Sequence, residues 1–203
     1  MTTTWNPSDQ TGGTLSNSNL TYTQGAGGGS TVQVRSTDAN VSGKYYIEVT
    51  VGAVGGVSYW GPSLADAGVA LASSQLITWG ANGDVYYQLG LGSQTLKGTI
   101  AAYTTGDVLC LAFDLAGNFY GRKNAGNWNN SGTCNPTTGA GALTFTPTAS
   151  MRLMQGINVN GGAAANFTLN AGATSFTYTV PSGFTAWQPS SGGGASNGLW
   201  FHH

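Results

Sequence analysis

Apolar and polar residues alternate along several short segments of this chain, a pattern typical of half-buried β-strands. Residues 175–180 alternate in this way, and so do residues 44–51, where positions 45, 47, 49 and 51 are apolar. The other face of the second segment carries polar or amphipathic side chains: Lys44, Tyr46, Glu48 and Thr50. Residues 108–113 are apolar on both faces, which predicts a central strand that is covered on both sides.

Turn-forming residues separate these segments. Asn82-Gly83-Asp84 lies between residues 76–79 and 85–89, and this arrangement predicts a β-hairpin. Further strands are predicted at residues 119–122, 151–159 and 167–169. No window of adequate length has a helical period, so many short strands with frequent turns predict an all-β sandwich or barrel.

Composition excludes some classes of partner. The chain has 203 residues, enough for one domain with a proper core, and only 6% of them are charged. Six Lys and Arg residues cannot form a basic stripe along nucleic acid, and a net charge of −1 gives little electrostatic steering. No stretch is long and apolar enough to cross a membrane, and the first residues show no Sec signal. We therefore expect synthesis in the cytoplasm, no nucleic-acid binding and no membrane insertion.

The composition changes near Gln188, which divides the chain into a domain at 1–188 and a tail at 189–203. The tail is rich in Gly and Ser and has three apolar residues near its end, Leu199, Trp200 and Phe201. These three side chains are candidates for docking on a neighbouring subunit, and folding back onto their own domain is the alternative. The last two residues, His202 and His203, are either native or the remnant of a purification tag.

Ordered motifs along residues 4–187 resemble the SPRY family, in the version common among phage and prophage proteins. The stretches that carry the resemblance are Thr4-Trp5-Asn6-Pro7, Leu15-Ser16-Asn17, Val34-Arg35-Ser36, residues 42–49, residues 106–115, Phe119, Arg122-Lys123-Asn124, Trp128, Asn166-Phe167 and residues 176–184. One departure is Thr168, which stands where the family usually has Gly after the Asn-Phe pair. The resemblance implies a two-sheet antiparallel β-sandwich of the concanavalin A-like jelly-roll type, used mainly as a binding module.

Catalytic groups are sparse. The only histidines lie in the tail, which leaves Ser-His-Asp and Cys-His catalysis unsupported within the domain. A sugar hydrolase needs two facing carboxylates, and none of the seven lies one strand-step from another on a common face. We therefore predict that the protein is not an enzyme.

Metal and thiol chemistry are weakly supported as well. Asp66, Asn82 and Asp84 have the oxygen ligands that calcium prefers, but their spacing lacks the acidic density of a tight site. Turn formation explains the same residues, so no metal and no cofactor are predicted. Cys110 and Cys134 are predicted to be free thiols, with one disulfide as the alternative.

Aromatic residues in loops are the best candidates for ligand binding. Tyr59 and Trp60 precede a Gly-Pro turn, and Trp128 and Asn129 lie in a Gly/Asn-rich segment. An aromatic face beside amide groups suits both sugars and flat protein surfaces. Trp60 is equally consistent with binding and with packing, whereas Trp128 is predicted rather to pack on its own hairpin. Asp84 completes the set of loop candidates, while Trp79 and Tyr86 are predicted to be core residues.

The sequence therefore predicts a non-enzymatic binding or structural component of a bacteriophage particle, located in the virion. Its expected role is surface-exposed capsid decoration, or that of a fibre or spike subunit within an oligomeric assembly. Its expected partners are host surface glycan, other virion proteins, or both. The alternatives are an intracellular adaptor that binds other proteins and, less favoured, a carbohydrate-active enzyme.

Overall fold

A computed structural model describes residues 2–26, 31–55, 60–68, 75–89, 93–148, 150–158 and 162–188. Within these ranges, fifteen β-strands form two sheets, and the only helical element is a 3-10 turn at Trp128–Asn130. The strand pairs are antiparallel except for one short parallel pair. The all-β, two-sheet antiparallel sandwich predicted from the sequence is confirmed.

Sheet 1 begins with the amino-terminal strand and has the order β1-β4-β13-β6-β7-β8-β9. Its strands are β1 (Trp5–Thr11), β4 (Val32–Asn40), β6 (Pro62–Asp66), β7 (Leu76–Trp79), β8 (Asp84–Gln88), β9 (Gln94–Thr99) and β13 (Met151–Ile157). The predicted hairpin around Asn82-Gly83-Asp84 is confirmed, because β7 pairs antiparallel with β8.

Sheet 2 has the order β12-β11-β10-β5-β14-β3-β2, and β15 pairs in parallel with the start of β5. Its strands are β2 (Thr14–Ser16), β3 (Thr21–Gln24), β5 (Lys44–Ala53), β10 (Val108–Asp114), β11 (Asn118–Lys123), β12 (Leu143–Thr144), β14 (Ala165–Asn170) and β15 (Thr185–Ala186). The predicted strands at 151–159 and 167–169 thus belong to opposite sheets, as β13 and β14.

The main core fills the space between the two inner faces. On β5, Ile47, Val49 and Val51 point into this core, as their alternation predicts. The core also buries three tryptophans, Trp5 of β1, Trp79 of β7 and Trp187 after β15. Strand β10 is covered on both sides as predicted, since alternate residues belong to the main core and to a second cluster outside sheet 2.

The predicted strand at residues 175–180 is wrong. These residues belong to an extended segment, here called the strap (residues 174–184), that crosses the outer face of sheet 2. The backbone amides of Thr177 and Tyr178 bind the carboxylate of Glu48 instead of a neighbouring strand. Alternation persists because Phe176 and Tyr178 pack down on the sheet, as alternate residues of a strand would.

Candidate ligand-binding surface

The strap covers the outer face of sheet 2 and is held there by one carboxylate. Glu48 accepts hydrogen bonds from the amides of Thr177 and Tyr178, both at 2.8 Å, and from the hydroxyl of Tyr46 at 2.9 Å. Tyr46 and Glu48 are therefore buried, although the strand pattern predicted a solvent-facing side for them. Burial raises the pKa of Tyr46, and its hydrogen bonds and electrostatic interactions with Cys110 and Glu48 raise it further. This phenol therefore stays protonated and acts as a donor.

Trp128 packs on its own hairpin, the arrangement that the sequence favoured over ligand binding. The guanidinium carbon of Arg122 lies 4.5 Å from the centre of the Trp128 ring and 5.9 Å from that of Tyr178. Arg122 also donates a hydrogen bond to the carbonyl of Thr179 in the strap. This stack of aromatic and cationic groups ties β11 to the strap.

The side chain of Asn129 forms hydrogen bonds with the backbone around it. Its side-chain oxygen accepts the amide of Gly121 at 2.8 Å, and its side-chain nitrogen donates to the carbonyls of Gly141 and Phe119 at 2.8 and 3.4 Å. The residue has a left-handed φ of 46°, which Asn adopts more readily than most residues. Asn129 therefore joins β11 to the loop before β12.

Trp60 lies on the outer face of sheet 1. It packs against a small cluster formed by Ala65, Leu76 and Met154. A Cβ added to Gly156 of β13 would lie 2.9 Å from the Cβ of Trp60, so the glycine at this position leaves room for the tryptophan. Trp60 is half-buried, and both a packing role and a binding role are compatible with this position.

Asp84 organises a polar cluster at one end of the same face. The hydroxyl of Thr99 donates to one carboxylate oxygen at 2.8 Å, and the other oxygen accepts from the Asn82 amide at 2.8 Å and the Tyr86 hydroxyl at 3.2 Å. The backbone amide of Asp84 in turn donates to the side chain of Asn82. The carboxylate thereby fixes the positions of three polar side chains.

Tyr86 is not the core residue that the sequence predicted. Its neighbours Val85 and Tyr87 are buried in the main core, so Tyr86 projects to the opposite, outer face together with Asp84 and Gln88. The signal was present in the sequence, because strict alternation places residues 84, 86 and 88 on one side. The aromatic character of Tyr86 outweighed that signal in the prediction.

Every Asp and Glu side chain, all seven of which lie in the described residues, has a structural partner. Asp9 pairs with Arg35, Asp38 accepts from Thr3 and Thr37, Glu48 from the strap, Asp66 from the amide of Gly68, Asp84 from its cluster, Asp107 from Thr104 and Asn124, and Asp114 from the amide of Ala116. Although burial opposes the ionisation of Asp107, its hydrogen bonds and Lys123 lower its pKa. These acids stabilise turns, strands and the strap.

Neither thiol nor metal chemistry is favoured by the arrangement of the described residues. Cys110 and Cys134 are both free and buried in the cluster outside sheet 2, and burial raises the pKa of each thiol. A raised pKa keeps a thiol protonated and weakly nucleophilic. Within the described ranges, no three His, Cys, Asp or Glu residues are grouped closely enough to hold a metal ion.

The predicted candidates form two groups on opposite faces of the sandwich. Trp60 and Asp84 lie on the outer face of sheet 1, whereas Trp128 and Asn129 lie outside sheet 2. Tyr59 and the tail residues Leu199, Trp200 and Phe201 lie outside the described residues. In the part of the chain that the structure describes, no helix is long and apolar enough to span a membrane.

Comparison with known proteins identifies the fold. No protein-family model and no curated protein matches this sequence. Among solved structures, the chain is similar to the SPRY domain of human HERC1, with a TM-score of 0.60, 12% identity, and coverage of 84% of this chain and 99% of that one. The chain therefore shares the β-sandwich fold of a SPRY domain.

Two further structures are similar at 12% identity. The PSpry domain of TRIM65 aligns with a TM-score of 0.49, and the alignment covers 84% of this chain and 92% of the TRIM65 chain. The carbohydrate-binding module CBM66 from Bacillus subtilis has a TM-score of 0.45 and covers 80% of this chain and 92% of its own.

Proposed function

We propose that this chain is a non-catalytic binding domain of the SPRY type that recognises glycan through the outer face of sheet 1. The observation that carries the proposal is the contrast between the covered outer face of sheet 2 and the exposed β8–β9 edge of sheet 1. Strap and loop cover the central strands of sheet 2, and the strap amides of Thr177 and Tyr178 bind the carboxylate of Glu48 on β5. At the β8–β9 edge of sheet 1, Asp84 instead holds Asn82, Thr99 and Tyr86 in place, and the outward-facing side chains of these two strands are partly or fully exposed.

The engagement of all seven carboxylates supports a binding role over hydrolysis. A retaining or inverting glycosidase needs one carboxylic acid as proton donor and a second carboxylate to attack or to activate water. Each acid of this chain is instead held by hydrogen bonds that fix the local fold. This structural use of the acids supports binding of a sugar over its cleavage.

The first experiment separates binding from hydrolysis. The purified protein is applied to an array of bacterial surface polysaccharides, and bound polysaccharides are then incubated with it while new reducing ends are measured. We expect retention on at least one polysaccharide and no more reducing ends than a heat-denatured sample produces. A time-dependent release of reducing ends would contradict the non-catalytic part of the proposal.

The proposed biological setting is the surface of a bacteriophage particle. A composition rich in hydroxyl and amide side chains, with only 6% charged residues, supports a role on an exposed protein surface. Phage particles are purified from a lysate of cells that produce the protein. Mass spectrometry of these particles should detect the protein at a stoichiometry comparable with that of other structural proteins. Its presence only in the soluble fraction would contradict the virion assignment.

The tail is proposed as the anchor of the domain. Leu199, Trp200 and Phe201 are apolar and follow a Gly/Ser-rich segment, a combination suited to tethering. Truncation after Gln188 should release the protein from particles while its thermal unfolding midpoint stays within about 2 °C of the full chain. Co-sedimentation of the truncated chain with particles would rule out the tail as anchor.

A further inference from the structure

Three cross-strand pairs follow one another along the outer face of β8 and β9. They are Asp84 opposite Thr99, Tyr86 opposite Leu96, and Gln88 opposite Gln94. At about 3.4 Å per residue, the five residues of β8 place the outer two pairs about 14 Å apart. These six side chains, here called the β8–β9 strip, form a row long enough for a short oligosaccharide.

The strip is apolar at its centre and polar at both ends. Leu96 is 52% exposed and lies beside the half-buried ring of Tyr86. At one end the hydroxyl of Thr99 binds Asp84, and at the other the Gln94 amide donates to Gln88 at 3.3 Å. A pyranose ring has the matching distribution, with apolar C–H faces and hydroxyl groups at its rim. An aromatic ring with hydrogen-bonding groups beside it therefore suits a sugar.

Charge on the strip favours an uncharged ligand. Its one carboxylate, Asp84, already accepts three hydrogen bonds from protein side chains. The single cation of β9, Lys97, is the extra residue where the pairing shifts between Val85 and Tyr86, and its ammonium group lies over the Tyr87 ring at 5.7 Å. The strip thus lacks a cation on its outer face for an acidic sugar.

From these observations we infer that the β8–β9 strip is the glycan-binding site and that its ligand is a neutral oligosaccharide, bound without calcium. This inference rests on the proposed glycan-binding function and adds the site and the ligand class. Tyr86 and Leu96 contact the apolar face of a central sugar, while Thr99, Gln94 and Gln88 bind hydroxyl groups of the flanking sugars. Hydroxyl oxygens accept and amide groups donate in these contacts.

The test is a glycan array that contains neutral and acidic oligosaccharides, probed with the full chain and with single variants. We expect the wild type to bind neutral glycans equally well with calcium and with EDTA. Leu96→Ser and Tyr86→Ala should each lower the affinity for the best neutral glycan at least about tenfold, a factor that corresponds to about 1.4 kcal/mol. Tyr86→Phe should retain most of the affinity because the ring remains. Val41→Ala is the matched control, since Val41 is 70% exposed and lies outside the strip.

The outcomes separate the inference from the function on which it rests. Neutral-glycan binding that survives both Leu96→Ser and Tyr86→Ala would leave the glycan-binding function standing and place the site elsewhere. Binding only to acidic glycans, or only with calcium, would overturn the ligand class. If the wild type binds no glycan but self-associates, and Leu96→Ser converts it to a monomer, then the strip binds a second copy of the chain. Binding to no glycan at all would overturn the proposed function as well.

Discussion

Replacing Glu48 with alanine should lower the free energy of unfolding by about 3 to 5 kcal/mol. The substitution removes the acceptor of two strap amides and of the Tyr46 hydroxyl, at distances of 2.8 to 2.9 Å, in a site where Glu48 is only 3% exposed. Hydrogen bonds to a charged group are worth about 1.5 to 3 kcal/mol each, and donors left buried without an acceptor add a desolvation penalty. Urea unfolding at neutral pH measures this loss.

A matched control is available on the same strand and the same outer face. Thr50 is exposed and lies two residues beyond Glu48, so Thr50→Ala should change the free energy of unfolding by less than about 0.5 kcal/mol. Hydrogen exchange should locate the effect, because the amides of Thr177 and Tyr178 lose their acceptor in Glu48→Ala. A loss below about 1 kcal/mol, or unchanged protection of these two amides, would show that Glu48 does not hold the strap.

The strap also shows where prediction from the sequence stops. Alternation identified the inner face of β5 correctly, because Ile47, Val49 and Val51 all reach the main core. It could not show that Tyr46 and Glu48 on the other face are covered, since the covering residues lie about 130 positions later and carry no local signal. The same physics misled the prediction at residues 175–180, where alternating side chains pack on a sheet without a partner strand.

The candidate surface could be predicted only in part. Turn chemistry drew attention to Asp84, whose carboxylate organises Asn82, Thr99 and Tyr86. An aromatic residue beside amides also selected Asn129, but its amide bonds three backbone groups of its own domain. Residue type alone does not distinguish a side chain that meets a ligand from one that meets a loop. Tyr86 and Leu96 become candidates only when the register of β8 and β9 places them side by side.

A second large effect is expected at Gly61, the residue between Trp60 and β6. Its backbone amide donates to Thr78, and its carbonyl accepts from the side chain of Ser63 and the amide of Gly156. A Cβ added to Gly61 would lie 2.0 Å from the carbonyl oxygen of Trp79 and 2.3 Å from the hydroxyl of Tyr103. The obstacle at the shorter distance is backbone, which a rotamer change cannot move away.

Gly61→Ala should therefore lower the free energy of unfolding by about 3 kcal/mol or more, above the usual cost of overpacking, because hydrogen bonds of sheet 1 must shift together with the core. Urea unfolding measures the loss, and a change in tryptophan fluorescence should report the displacement of Trp60 and Trp79. Gly132→Ala is the control, since a Cβ at the exposed Gly132 meets nothing within 4 Å. If the two variants unfold at the same urea concentration, then sheet 1 tolerates a side chain at position 61, and the close approach of Gly61 to Trp79 does not constrain this end of the sandwich.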